Sequence, residues 1–238
     1  MRLSLANVIK PTLAAFLIHL GTALLAGLSI ALCVGLTGKG DQNPQAILYG
    51  SLLVQQILTL LVLPKMRRDG ETRTSLLALG KPDPFLSRRI LIRTGCAMLV
   101  IAAVMAMGVL LSDGKLDGPT GSIADGARLN GFALWIALPV AVLLAPLAEE
   151  MLFRGYLLNR LMSAGMREWP AMLLTGALFG TIHYHLGLGG MTVIGMGGVL
   201  LAYTRIKTGS IWPSVAIHAA WNGIIVLLSL VASAAGKV

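Results

Sequence analysis

The stretch "LAPLAEEMLFRGYLLNRL", residues 144–161, decides how this chain is read. Two adjacent glutamates, Glu149 and Glu150, and one arginine, Arg154, interrupt a run that carries no other charge back to Phe132. A charged group at mid-membrane costs about 2.5–3.5 kcal/mol on insertion scales. Three such groups within six residues therefore need partners, a function, or both. Whether they face a membrane depends on the rest of the chain.

The composition answers for a membrane. Of 238 residues, 56% are hydrophobic and 12% charged, where a soluble domain carries roughly 25% charged residues. Apolar runs occupy approximately 12–36, 45–63, 90–111, 132–162, 170–187, 189–206 and 211–234. Each approaches or exceeds the about 20 residues a helix needs to cross a bilayer. The expected fold is all-α: a polytopic transmembrane helix bundle of about seven spanning helices. Six or eight remain open because 187–198 is dense in glycine. The chain reads as one integral membrane domain, 1–238, with no internal repeat, soluble domain or low-complexity tract. The first apolar run is longer than the 7–15 residues of a signal-peptide core, so it reads as an uncleaved helix. His19, alone in its middle, reads as a hydrogen-bonding group between helices.

The formal charge of +9 is not spread evenly. Lys65, Arg67, Arg68, Arg73, Lys81, Arg88, Arg89 and Arg93 crowd one link, as in a cytoplasmic loop. No nucleic-acid motif accompanies them, so the partner they imply is anionic lipid and not nucleic acid. Arg160 and Arg167, then Arg205 and Lys207, mark two further basic links, whereas the link 112–131 holds two basic and three acidic residues. This alternation places the N-terminus in the cytoplasm and the C-terminus outside, with Lys237 as an exception. The expected location is a bacterial cytoplasmic membrane. The part "TRTSLLALGKPDPFLSRR" (72–89) is broken by Gly80, Pro82 and Pro84. It is expected to lie on the cytoplasmic surface through Leu76, Leu77 and Leu79. Cys33 and Cys96 have neither metal spacing nor a disulfide framework.

Helical geometry divides the two glutamates. Glu150 and Arg154 are four apart, share a face and can pair. Glu149 is turned by about 100° and is left for another partner. Further polar groups stand in the later apolar runs. "LFGTIHYHLG" puts Phe179 and His183 on one face, and "VAIHAAWNG" does the same for His218 and Asn222. Counted from the turn at 164–168, the glutamates and His183 are level within a turn of helix. His218 lies nearer its own turn at 208–209, so either its helix starts deeper or the cavity slopes.

These three elements resemble the CAAX protease and bacteriocin-processing (CPBP) family of intramembrane endopeptidases, related to the CAAX prenyl endopeptidases. That family carries EExxxR, FxxxH and HxxxN/D on successive helices. Here they read Glu149-Glu150-x-x-x-Arg154, Phe179-x-x-x-His183 and His218-x-x-x-Asn222. The resemblance covers approximately 139–222, the expected catalytic core. It implies a glutamate-dependent hydrolase of a membrane-associated peptide or protein. Glu149 and His183 would bind and activate a water, His218 and Asn222 would hold the oxyanion, and Glu150 with Arg154 would brace the site. No cofactor is favoured. Zinc is the competing reading, with Glu149, His183 and His218 as ligands, but the one-helix spacing of HExxH is missing and His183 and His185 are two apart. A proton-coupled transporter and a non-catalytic immunity or binding protein are the alternative functions. The transporter predicts repeated halves, which the chain lacks.

Overall fold

The structure, a computed structural model, describes residues 4–37, 44–111, 135 and 137–234. The link 112–131, with Lys39, Asp41 and Lys237, lies outside the described residues, and so do the charges there on which the expected orientation partly rests.

Eight helices and no strand occur among the described residues. They are α1 (Leu5–Thr37), α2 (Pro44–Val62), α3 (Arg73–Leu77), α4 (Pro84–Leu111), α5 (residues 140–163), α6 (Glu168–Thr181), α7 (Gly187–Thr208) and α8 (Trp212–Ala234). The expected helix bundle is present. By length and composition three segments can cross a membrane on their own: Leu5–Leu36, Ile47–Lys65 and Tyr184–Thr208. The number of spans is not fixed by this. The outward faces support an apolar surrounding. On α1, Leu13, Leu17, Leu20, Leu24 and Leu28 recur every three or four residues and are all more than half exposed. A continuous outward row of leucines suits a lipid surrounding.

Small residues and hydroxyls hold the helices together. Between α6 and α7, Gly176, Gly180, Gly195 and Gly198 let the backbones touch; a Cβ on Gly180 would collide with the Met191 carbonyl. Such close approach replaces the hydrophobic driving force that lipid cannot supply. Thr22 meets Thr59 at 3.2 Å between α1 and α2. Thr94 meets Thr204 at 2.9 Å between α4 and α7. Gln55 on α2 approaches the ring of His19 on α1 at 3.5 Å, an inter-helix pairing as expected for that histidine.

The segment between α2 and α4 departs from expectation. Its leucines turn into the protein, while residues 72–75 and 83–86 stay exposed. Leu76 and Leu77 are fully buried in the main core cluster, with Leu161, Met172 and Ile211 among its members. A capping box of Thr72 and Ser75 starts α3. Asn159 donates to the carbonyls of Ser75 and Leu76, each at 3.1 Å. Arg160 grips Glu71 with two bonds of 2.6 and 2.8 Å and also reaches the Met66 carbonyl. The Trp212 indole donates to Leu79 O at 3.1 Å, and the Ile211 amide to Ala78 O at 3.0 Å. The backbone of Leu77 lies against Gly155 of α5, where any Cβ would be tight. Periodicity could not foresee this, because the groups that hold α3 come from residues about 80 or more positions later.

Ser210 and Ile211, in the turn before α8, are buried, and the Ile211 amide ties that turn to Ala78 O.

Candidate functional site

Helix α5 carries the glutamates and is not a regular α-helix. Two π-helical turns, Val140–Leu144 and Met151–Leu157, flank the α-helical piece Ala145–Glu150. The backbone stays right-handed through every junction, so α5 is continuous. Each π turn rotates the succeeding residues around the axis relative to an ideal helix. Glu149 and Glu150 both lie in the α-helical piece, so the ordinary 100° step between them holds, while the residues after 150 are rotated.

Glu150 and Arg154 pair as the four-residue spacing required. Arg154 Nη1 donates to Glu150 Oε1 at 2.7 Å, and both side chains are fully buried. Arg154 Nη2 donates to the carbonyl of Gly198 on α7 at 2.9 Å. A Cβ at 198 would press on that guanidinium, on Phe179 and on Gly176, so only glycine leaves the carbonyl open to it. The guanidinium also lies 4.4 Å from the ring centroid of Phe179, in cation–π range. No local pattern in the sequence links Gly198 to Arg154, 44 residues away.

Glu150 does more than pair with Arg154. Its Oε1 also faces His218 Nδ1 at 3.1 Å. A carboxylate accepts, so Nδ1 carries the hydrogen and donates. The other ring nitrogen, Nε2, stands 3.7 Å from Glu149 Oε2. The imidazole of α8 is therefore held between two carboxylates on adjacent residues of α5. Glu149 keeps 14% of its side chain exposed, where Glu150 keeps none. The separation of the two glutamates is real, but both converge on His218.

His183 sits just past the C-terminus of α6, where a helix leaves carbonyls without donors. Its own amide turns to Gly180 O, leaving Phe179 O for the ring: Nδ1 donates to it at 2.9 Å. In the neutral ring Nε2 is then the acceptor, without a hydrogen-bond partner among the described residues, and that tautomer is set by the way the helix ends. Phe179 shares the His183 face, as its spacing implies. Its ring is also the wall of the site, edge-to-face against His183 at 5.0 Å, His218 at 5.6 Å and Phe153 at 5.3 Å. The two histidine rings can be no further apart than the first two distances combined.

Among the described residues no hydrogen bond or ion pair joins Glu149 to His183, and no group of three His, Cys, Asp or Glu side chains is placed to hold one metal ion. The trio Glu149, His183 and His218 is thus not gathered as a ligand set. His185 is not turned fully away from His183: the rings lie 6.1 Å apart, because Tyr184–Leu186 is a 3-10 turn and not regular helix. Asn222, one turn beyond His218, donates from Nδ2 to the carbonyl of Ala141 at 2.8 Å. The six polar residues singled out in the sequence therefore fall on α5, the end of α6 and α8. Five of them stand around the Phe179 ring or along the Glu150 network, and Asn222 is tied to α5 above them.

Residues 131–224 match the family described as type II CAAX prenyl endopeptidase Rce1-like. No curated protein and no solved structure matches the chain.

Proposed function

We propose, from the match of residues 131–224 to the type II CAAX prenyl endopeptidase Rce1-like family, that the chain hydrolyses a peptide bond in a membrane-associated peptide or protein with a glutamate-activated water. The observation that carries the reading is the His218 imidazole held between Glu149 and Glu150. A transporter needs charged groups along a path; this arrangement gathers them at one point.

In this reading a water lies between Glu149, the partly open carboxylate, and His183, whose Nε2 is free to accept from it. Glu149 takes a proton as the water oxygen bonds to the carbonyl carbon, and the carbonyl oxygen becomes an oxyanion. Collapse of the tetrahedral intermediate breaks the C–N bond, and the proton on Glu149 passes to the leaving amine. His218 and Asn222 face the oxyanion. With Nδ1–H committed to Glu150, His218 can donate from Nε2 only as an imidazolium. Two carboxylates, one guanidinium and one imidazolium sum to zero charge, the condition under which buried ions are tolerated. Glu150 and Arg154 thereby hold the donor in place and balance its charge. Asn222 spends one amide hydrogen on Ala141 O and keeps the second for substrate. Fixed donors aimed at a developing oxyanion act most strongly where water is excluded. No step requires a metal, so full activity is expected in excess chelator. The N-terminus is assigned to the cytoplasm.

The test is cleavage of a membrane-anchored peptide library by the purified chain in lipid nanodiscs, with Glu149→Ala as control. Product formation lost in the control supports the proposal. Cleavage that survives Glu149→Ala, or that disappears on chelation and returns with zinc, refutes this mechanism.

A further inference from the structure

The carbonyl of Ala141 has no donor on its own helix. In the π turn Val140–Leu144, the amide of Ala145 reaches back five residues to Val140 O. The next donor in that register belongs to residue 146, and Pro146 has no N–H. The carbonyl is left for another element, and Asn222 of α8 takes it at 2.8 Å. The neighbouring residues agree with this register, since a Cβ on Gly223 would rest against Val142 at an ordinary 3.8 Å.

Two polar ties thus join α8 to α5, one helical turn apart on α8. His218 meets Glu150, and Asn222 meets Ala141. They run in opposite senses along the two helices. The first belongs to the charged network. The second exists because a proline stands three residues before Glu149.

We propose that Pro146 is a positioning residue: by withholding its N–H it leaves the Ala141 carbonyl as a fixed acceptor that latches α8 and orients the Asn222 amide beside His218. An amide with one hydrogen committed to a fixed acceptor has its plane set, and its second hydrogen points in one direction only. The "Pro-x-x-Glu-Glu" of α5 and the "His-x-x-x-Asn" of α8 are coupled through this bond. The orientation of a donor toward the oxyanion rests on the hydrolase reading above. The latch itself does not.

A double-mutant cycle of Pro146→Ala and Asn222→Leu on the full chain in detergent micelles tests it. With Pro146 present, Asn222→Leu orphans a part-buried carbonyl and is expected to lower the folding equilibrium constant by roughly fivefold or more. In the Pro146→Ala background residue 146 can supply its own N–H, and the same change is expected to cost no more than about twofold, the level at which independent sites are additive. Equal costs in both backgrounds overturn the latch. If Asn222→Leu alone fails to fold, the double variant must recover; its failure overturns the latch as well. For positioning, Pro146→Ala with Asn222 intact should lower kcat while KM and stability hold. An unchanged kcat refutes positioning while leaving the latch to the stability cycle. A wild-type chain that cleaves nothing refutes the hydrolase reading and its positioning corollary, and the stability cycle then decides the latch alone.

Discussion

The two glutamates should respond in opposite ways to the loss of charge. Glu150→Gln keeps an oxygen where Oε1 stands, so a hydrogen bond can still reach Arg154 Nη1 and His218 Nδ1. What disappears is the negative charge. Arg154 is fully buried and its other acceptor is the neutral carbonyl of Gly198, so the cation loses the carboxylate it touches. Breaking a buried pair from one side costs about 3–5 kcal/mol. The retained hydrogen bonds favour the lower end, about 3 kcal/mol. For a domain of this size each kcal/mol lowers Tm by about 2–4 °C, so the expected fall is about 6–12 °C. Glu149→Gln changes a group that makes no hydrogen bond among the described residues, stands 3.7 Å from His218 and is partly open. Its structural cost should be smaller than that of Glu150→Gln, because no close ion pair is broken. Turnover should nevertheless vanish in Glu149→Gln, because an amide cannot take the proton from water. The assay is paired: thermal unfolding and single-turnover cleavage on the same purified variants. If Glu149→Gln is the unstable variant and Glu150→Gln the folded, inactive one, the division of roles is reversed. If both melt with wild type, the charge on Arg154 does not depend on Glu150 and the bracing role of the pair falls.

Gly198→Ala should cost about 1–3 kcal/mol through overpacking and lower turnover as well, since the added methyl meets Arg154, Phe179 and Gly176 together; thermal unfolding and cleavage at saturating substrate check both. The Arg160 guanidinium hydrogen-bonded to Glu71 holds that carboxyl below the usual glutamate range. A depressed folded value means the pair's contribution is complete above the unfolded value of about 4.3 and is lost as pH falls through the folded one. Glu71→Gln should accordingly flatten the acid limb of Tm against pH between about 5 and 3, and an unaltered limb would show that the α3 anchor adds nothing. For orientation, single cysteines at Arg68 and Gly165, in a background without Cys33 and Cys96, should react with an impermeant thiol reagent only in opened cells. Labelling in intact cells would place the basic links outside.

Sequence alone determined whatever depends on short-range geometry and on the cost of charge in lipid. Hydrophobic runs gave the helices, because an apolar environment leaves the backbone no alternative to internal hydrogen bonds. The four-residue spacing of Glu150 and Arg154 gave their pairing, because residues one turn apart face each other in any helix. The three motifs located the polar residues of the site, and the family match covers them. What the tertiary structure decided lies between elements. That His218 stands between both glutamates depends on how α8 packs against α5. The insertion of Leu76 and Leu77 was hidden because their burial partners, Leu161, Met172 and Ile211, lie far along the chain. Pro146 announces a missing donor, but only the packed structure shows that Asn222 supplies the replacement, which no local pattern encodes.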